Sequence, residues 1–361
     1  MTSGAETSTP VPSAAGATAR LILFGVLRTL LPILLALLVG AFVLLLVGAD
    51  PLAYYRFVVE RGLLRPSGLQ ETIIRMAPLL MVAAGLIIAF RAGIWNLGVD
   101  GQFLLAAVIT AALAPELVGT LGRYPTIVVC LVVAFLVGAA WSLIPAFLKA
   151  RFGVNEIITT LMMSFLGTSF ANVLIKIPFK DAATTVPQTE TLAVADRLPR
   201  LGDSTINSGI ILAVIAVLLV HLLMTRTAFG LKLQIVGANP RAAVHAGLSV
   251  SRLTYATFAL SAGFAGLAGA VDILGVYGTV RADWNPGYGM LVIPIVFLAR
   301  FHGVAVIGFV LFFAALQIGG DSASLKTGVP TIYVLLLVAL LLMFLALVEY
   351  LDHRWREKTK A

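Results

Sequence analysis

The sequence predicts an all-α integral membrane protein. Three observations carry that prediction. Sixty per cent of the 361 residues are hydrophobic and 12% are charged, with a mean hydropathy of +1.02; a soluble chain needs far more polar matter to face water. The apolar residues fall in long runs, and a helix needs about 20 such residues to cross the hydrocarbon layer. The runs are continuous instead of alternating, which favours helices over barrel strands.

The elements follow in order. Residues 1–20 are rich in Ser, Thr, Ala, Gly and Pro and read as a disordered cytoplasmic tail. They form no secretory signal, because they lack a basic start and the next apolar run is too long. About ten spans follow, at 21–48, 72–90, 101–118, 125–147, 156–175, 208–225, 254–279, 288–299, 303–319 and 330–350. The span 288–299 is short for a full crossing and reads as a half-helix or a tilted, broken one. Residues 21–350 make one transmembrane domain, and 351–361 a basic cytoplasmic tail. Loop 226–252 carries Arg226, Lys232, Arg241 and Arg252 with no acid, the tail Arg354, Arg356, Lys358 and Lys360, and loop 148–155 Lys149 and Arg151. With an even count, ten or else eight, these loops and both termini share one side, which the excess of Lys and Arg marks as cytoplasmic. Loops 49–71 and 176–207 mix both signs.

Two Gly/Asn-rich breaks interrupt the helices, at 89–102 and 275–289. The first is expected on the cytoplasmic side and the second on the outer side. Two four-helix units, 72–175 and 254–350, then suggest an inverted repeat, as in many transporters. Polar residues at membrane depth are costly and mark candidate pathway positions. Asn96, Asp100 and Gln102 at the first break read either as helix-end caps or as a pathway segment. Asn155 and Glu156 fit an N-cap and first turn, with Glu156 kept as a pathway candidate. Asn172 and Asp272 lie nearer the outer ends of their helices. Asp272 is the only carboxylate in span 254–279 and needs a partner or water. Trp284 and Asn285 could touch solute or anchor at the interface. Ser261, Ala265 and Gly269, with Gly263 and Gly266, form a small-residue packing face.

Loop 226–252 contains a short helix. Asn239 suits the N-cap, Pro240 the first helical position, and Gly247 the left-handed position after the end. They delimit two turns, 240–246, with Ala242, Ala243 and Ala246 expected on the exposed face. A helix this short is unstable alone, so it reads either as an ordinary loop helix or as one that docks into a partner's groove.

Other chemistries find no support. The net charge of +8 comes without a basic-aromatic stripe for nucleic acid. The single cysteine, Cys130, allows no internal disulfide. His221, His245, His302 and His353 are scattered in sequence, with no metal-ligand spacing. No phosphate-binding loop is present, and the carboxylates Asp100, Glu156 and Asp272 pair with no nucleophile. The sequence thus implies a non-enzyme without metal or cofactor.

The segment 230–270, GLKLQIVGANPRAAVHAGLSVSRLTYATFALSAGFAGLAGA, resembles the coupling-helix region and following span of ABC importer permeases of the branched-chain amino acid and simple-sugar type. Within that group, AFRAGIWNLGVDGQFLLAA at 89–107, GVNEIITTLMMSF at 153–165 and the stretch 287–322 resemble nucleoside (basic-membrane-protein-associated) permeases. The resemblance covers roughly 50–350. It implies a permease subunit of an ATP-driven importer in the bacterial cytoplasmic membrane, with nucleosides the favoured cargo and a pentose or other simple sugar the alternative. It implies a second permease chain (a paralogue or a second copy), a cytosolic ATPase and an extracytoplasmic solute-binding protein, with membrane lipid around it. It gives Gly237, Asn239, Pro240, Arg241, Ala242, Ala243, Ala246 and Gly247 the ATPase-coupling role. One stretch departs: where the family's run ends Leu-Gly-Arg and continues Asn-Pro, this chain has Phe297-Leu298-Ala299-Arg300 and then His302-Gly303. Val292, Pro294, Val296 and Phe297 make this stretch bulkier, which would alter a pathway they lined. An ion-coupled secondary transporter remains the second alternative, against which stands the scarcity of ionisable residues in the spans.

Overall fold

The structure, a computed structural model, describes the backbone of residues 14–360 and the side chains of residues 30–351 and Arg354. Residues 1–13 of the expected tail lie outside the described residues. Helix α1 begins at Ala14, inside that expected tail, and runs to Leu46. Helix α14, Ile332–Lys360, continues through most of the expected basic tail.

Between them lie α2 (Pro51–Val59), α3 (Pro66–Arg91), α4 (Val99–Leu121), α5 (Arg123–Trp141), α6 (Leu143–Phe152), α7 (Glu156–Lys176), α8 (Gly209–Arg226), α9 (Ala228–Ala238), α10 (Pro240–His245), α11 (Val250–Asp272), α12 (Tyr288–Leu298) and α13 (Gly303–Thr327). Single wide turns extend α2 through Leu64 and α11 through Tyr277. Among the described residues, eight helices, counting α5 with α6 as one, are long and apolar enough to cross a membrane. No strand forms among the described residues beyond two isolated bridges. The chain is an all-α, multi-pass membrane protein.

The described residues divide into two compact units, one of residues up to Pro51 with those from Leu335 on, and one of Leu52–Val334. The second holds the candidate site. Its centre is α11, which packs on α3, α4 and α5. The small-residue face makes this possible. A Cβ on Gly266 would run into the Ala134 carbonyl of α5, and one on Gly138 of α5 into the Ala262 carbonyl of α11. Close backbone approach replaces the hydrophobic effect, which lipid tails remove as a driving force between helices.

The unit has two ends. At one, α9 and α10 lie beside the end of α3, where Gly93 meets Gly237. At the other, the α7–α8 loop reaches the start of α3, where Gln70 accepts from the Thr205 amide and hydroxyl, and covers the end of α11, with Leu198 N donating to Leu274 O at 2.8 Å and Leu192 N to Gly278 O at 2.9 Å. These are called the α10 end and the far end.

Candidate functional site

The two breaks start at opposite ends, as the sequence suggests, the first against α9 and the second against the α7–α8 loop, and both run inward to meet within the bundle. The first leaves α3 at the α10 end. By Asn96 it has reached Ser261, midway along α11. Its continuation, α4, brings Phe103 to 5.9 Å from Trp284 and 5.3 Å from Tyr288, ring centre to ring centre. Asp100 Oδ1 accepts from Gly289 N at 2.8 Å. The second break therefore turns inward to start α12 beside α4. Helix α12 ends near the α10 end, where Arg91 Nε donates to Phe301 O. Its 11 residues span about 16 Å, roughly half of a 30 Å hydrocarbon core, so the half-helix expectation holds. Backbone that starts inside a bundle can satisfy its amides on enclosed side chains, as Gly289 N does on half-buried Asp100.

At the first break, Asn96 and Gln102 are almost fully enclosed. Asn96 Nδ2 donates to Gln102 Oε1 and to Ser261 Oγ, both at 3.0 Å, and Asn96 Oδ1 accepts from Gln102 Nε2 and Gly98 N, both at 3.1 Å. The amides that α4 leaves open are met by α7: Leu97 N donates to Thr160 Oγ1 and Gly101 N to Ser164 Oγ. These bonds fix an irregular segment in place. Glu156, at the start of α7, is buried and pairs with Lys149 at 2.6 Å, while Asn155 caps the helix through Ile157 N. Asn172 accepts from Asp283 N at 2.7 Å, holding a residue whose φ is 63°. Asn285 turns the chain by accepting from Gly287 N. Trp284 is half-buried between Phe103 and Tyr277, 5.0 Å from the latter.

Asp272 finds the partner it needs. Tyr288, the first residue of α12, donates to Asp272 Oδ2 at 3.1 Å and accepts from Arg75 Nη1 of α3 at 2.6 Å. Asp272 is 3% exposed and Tyr288 0%. A single hydroxyl thus links a cation on α3 to an anion on α11 and ties α12 to both. Sequence reading passed over Arg75, although a lone Arg inside an apolar run is itself the signal. It also passed over Tyr288, which only the fold brings there.

The bulky α12 residues are spent on packing. Val292, Pro294 and Val296 are buried. Phe297 joins Phe90, Trp95 and Phe301 in an aromatic cluster with ring centres 5.1 to 6.1 Å apart. The departure at His302 keeps the chemistry of an N-cap, since its Nδ1 accepts from Ala305 N. His302 and His221, distant in sequence, lie 4.5 Å apart between ring centres. No group of three or more candidate metal ligands occurs among the described residues.

At the α10 end, Asn239 Oδ1 accepts from Arg241 N at 3.0 Å and Ala242 N at 3.1 Å. The helix closes with Gly247 N donating to Val244 O and Leu248 N to Ala243 O, while Gly247 takes φ 78°; this is the paired C-terminal closure that glycine permits. The exposed face needs correction. Ala243 is 0% exposed, whereas Val244 is 60% exposed. Ala242, Val244, His245 and Ala246 face outward. Six residues make fewer than two turns, so one position in the small-residue set turns inward and anchors the loop. Gly237 lies where a Cβ would strike the Arg91 carbonyl.

Comparison with known proteins agrees with this architecture. The family described as branched-chain amino acid transport system / permease component matches residues 68–347. The chain is 33% identical to a glucose ABC transporter permease of Haloferax volcanii, over 89% of this chain and 87% of that one. It is 30% identical to a guanosine ABC transporter permease of Bacillus subtilis, over 88% and 92%. A nucleoside ABC transporter permease of Lactococcus lactis is 27% identical, over 93% and 94%. A match of this extent over the helices that build the bundle makes the chain a member of that family, a transmembrane ABC permease subunit.

Proposed function

We propose that this subunit forms half of the path through which an ATP-driven importer moves a neutral, hydroxyl-bearing solute, nucleosides first, across a bacterial cytoplasmic membrane. In this reading the α10 end and both termini are cytoplasmic, in keeping with the Lys and Arg of loop 226–252 and the C-terminal segment. A separate ATPase docks on α10, a second permease chain completes the path, and a solute-binding protein delivers cargo to the far end. The observation that carries the reading is α10 itself: a short helix capped at both ends, anchored by buried Ala243, and offering Ala242, Val244, His245 and Ala246 outward. A helix of six residues has no stability to spare, and the caps hold its shape for a partner. Gly237, Asn239, Pro240, Arg241 and Gly247 shape and orient it. Among the pathway candidates, Asn96, Gln102, Glu156 and Asn172 serve by bracing the backbone; Asp100, Asp272, Trp284 and Asn285 sit at or beside the inner start of α12.

Nucleoside cargo is supported by the guanosine and nucleoside permeases among the relatives, and a sugar is the second reading because the glucose permease shares 33% identity. The test is Val244→Asp in the chain co-expressed with its neighbouring ATPase. It leaves the caps and Ala243 untouched, so the permease remains in the membrane while ATPase co-purification and ATP-dependent guanosine uptake are both lost. Normal assembly and uptake in that variant refute the docking role. Competition of uptake by a panel of nucleosides and sugars decides the cargo.

A further inference from the structure

The start of α12 leaves two groups unspent, a carboxylate oxygen and a ring face. The oxygen belongs to Asp100. Its Oδ1 accepts from Gly289 N at 2.8 Å. A Cβ on Gly289 would stand 3.0 and 3.1 Å from the two carboxylate oxygens, so the carboxylate is seated where glycine leaves room. Oδ2 meets no donor among the described residues, yet it is not an enclosed, unsatisfied atom, and Asp100 is half-buried. Oδ2 therefore opens onto accessible space. A carboxylate at membrane depth faces water or a polar ligand, not lipid.

The ring face belongs to Trp284. Its backbone is braced on both sides of the second break: Ala282 N donates to Pro187 O, Trp284 N to Arg281 O and Asp283 N to Asn172. The indole meets Phe103 at 5.9 Å and 42° and Tyr277 at 5.0 Å and 65°. Trp95 and Trp141 each carry a stacked ring, Phe297 at 28° and Phe170 at 7°. Trp284 has no stacked ring among the described residues and is half-buried, so part of its face is free. Tyr277 closes the wide turn that extends α11, and such turns recur at functional sites.

Phe103 joins the two groups. It follows Asp100 by three residues on α4, so both lie on one face, with Phe103 about 4.5 Å further along the axis. Helix α4 runs toward the far end, where the next residue after its closing turn, Arg123, donates to Arg197 O of the α7–α8 loop. The Phe103 ring meets both Trp284 and Tyr288, and Tyr288 precedes the glycine on which Asp100 is seated. The free ring and the free oxygen thus belong to one site, the ring outward and the oxygen one turn further in.

We propose that Trp284 and Asp100 form a nucleoside-contact station in the outer half of the path: the base lies against the Trp284 indole, edged by Tyr277, and Asp100 Oδ2 accepts from a hydroxyl of the sugar. Stacking of this kind tolerates any base, because each has a π-face, while an ionised carboxylate only accepts and so selects a hydroxyl that donates. A simple sugar lacks the flat ring and keeps only the hydroxyl contact. The station rests on the function proposed above for its cargo class, but not for the water access of the site.

The experiment labels cysteines in the assembled transporter in vesicles. The native Cys130 is buried, so an introduced cysteine reports alone. The reporter is Met290→Cys, at an exposed position beside Gly289, and the reference is Leu136→Cys, on the exposed apolar face of α5. A cationic, water-soluble methanethiosulfonate is expected to label the reporter at least about tenfold faster than the reference; equal rates overturn the proposal. Guanosine is expected to slow reporter labelling about threefold or more, and ribose at the same concentration is not. Equal protection by the two solutes overturns the stacking, a comparison that needs no further substitution. Adding Trp284→Leu is expected to abolish the protection and Trp284→Phe to keep it; protection that survives Trp284→Leu also overturns the stacking. Asp100→Asn retains an oxygen for Gly289 N. It is expected to raise the half-protecting concentration of guanosine about tenfold, as for a hydrogen bond to a charged group, but that of 2′,3′-dideoxyguanosine less than twofold. Equal shifts overturn the hydroxyl contact. Import of guanosine without protection overturns the station and leaves the cargo reading standing, whereas protection without import strikes the cargo reading and supports the station.

Discussion

Tyr288→Phe tests whether the start of α12 is tied down by charge. The substitution keeps the ring, which packs edge-on against Phe103, and removes the hydroxyl that joins Arg75 to Asp272. The site is closed to water, since Tyr288 is 0% exposed, so no solvent molecule replaces what is lost. Hydrogen bonds to charged groups are worth about 1.5–3 kcal/mol each, whereas interhelical hydrogen bonds measured in a membrane protein average about 0.6 kcal/mol. Two bonds to charged partners therefore put the loss at about 3 kcal/mol or more. A double-mutant cycle with Asp272→Asn isolates one of them. The coupling should be about 1.5–3 kcal/mol, read from unfolding of the purified subunit by SDS titration with circular dichroism. A coupling of about 0.6 kcal/mol or less refutes the reasoning, because it would mean that Tyr288 does not bridge two ionised groups.

Two further outcomes follow from local geometry. Gly266→Ala pushes a methyl group into the Ala134 carbonyl and should cost about 1–3 kcal/mol by overpacking, seen as a lower melting temperature in detergent, while Gly308→Ala, with open space around it, leaves that temperature unchanged. Asn239→Ala removes an oxygen that accepts from two amides and should cost the α10 turn about 1 kcal/mol; amide exchange over 240–247 speeds up by roughly fivefold while exchange in α11 does not.

The spans and the α10 caps were legible because both depend on local signals. Apolar run length, Asn239 before Pro240, and Gly247 at a left-handed turn each act within a few residues. The exposed face of α10 was not legible, because Ala242, Ala243 and Ala246 are chemically alike and only the packing of the loop decides that Ala243 turns inward. The site was half legible. Asp272 announced itself as a carboxylate in an apolar helix, but its partner Tyr288 comes from α12, 16 residues on, and the Arg75 that this tyrosine also bonds lies 213 residues before Tyr288, on α3, so no local rule joins them. The same holds for Asp100, whose acceptor role toward Gly289 N crosses 189 residues. The breaks start at the opposite ends expected of them, but their inward course was not legible for a related reason: Gly and Asn mark irregular backbone, but not whether it lies at a surface or folds inward.

If α10 receives the motion of an ATPase, that motion has to reach α12, and the α10 end offers a short rigid route. Helix α9 presents Gly237 directly against Gly93, backbone to backbone. Two residues before Gly93, Arg91 donates to the carbonyl of Phe301. Phe301 and Arg300, which join α12 to α13, both hold left-handed conformations at φ 57° and 48°, a cost of about 1–3 kcal/mol each for residues that are not glycine. Phe90, Trp95 and Phe297 pack around that turn and oppose its release. Gly237→Val breaks the route at its narrowest point without touching the outward face of α10. ATPase recruitment should therefore persist, while ATP-dependent uptake falls about tenfold or more. Uptake at the wild-type level in Gly237→Val rules this route out; loss of recruitment along with uptake places the damage in α10 and leaves no support for Gly237 as a transmitting contact.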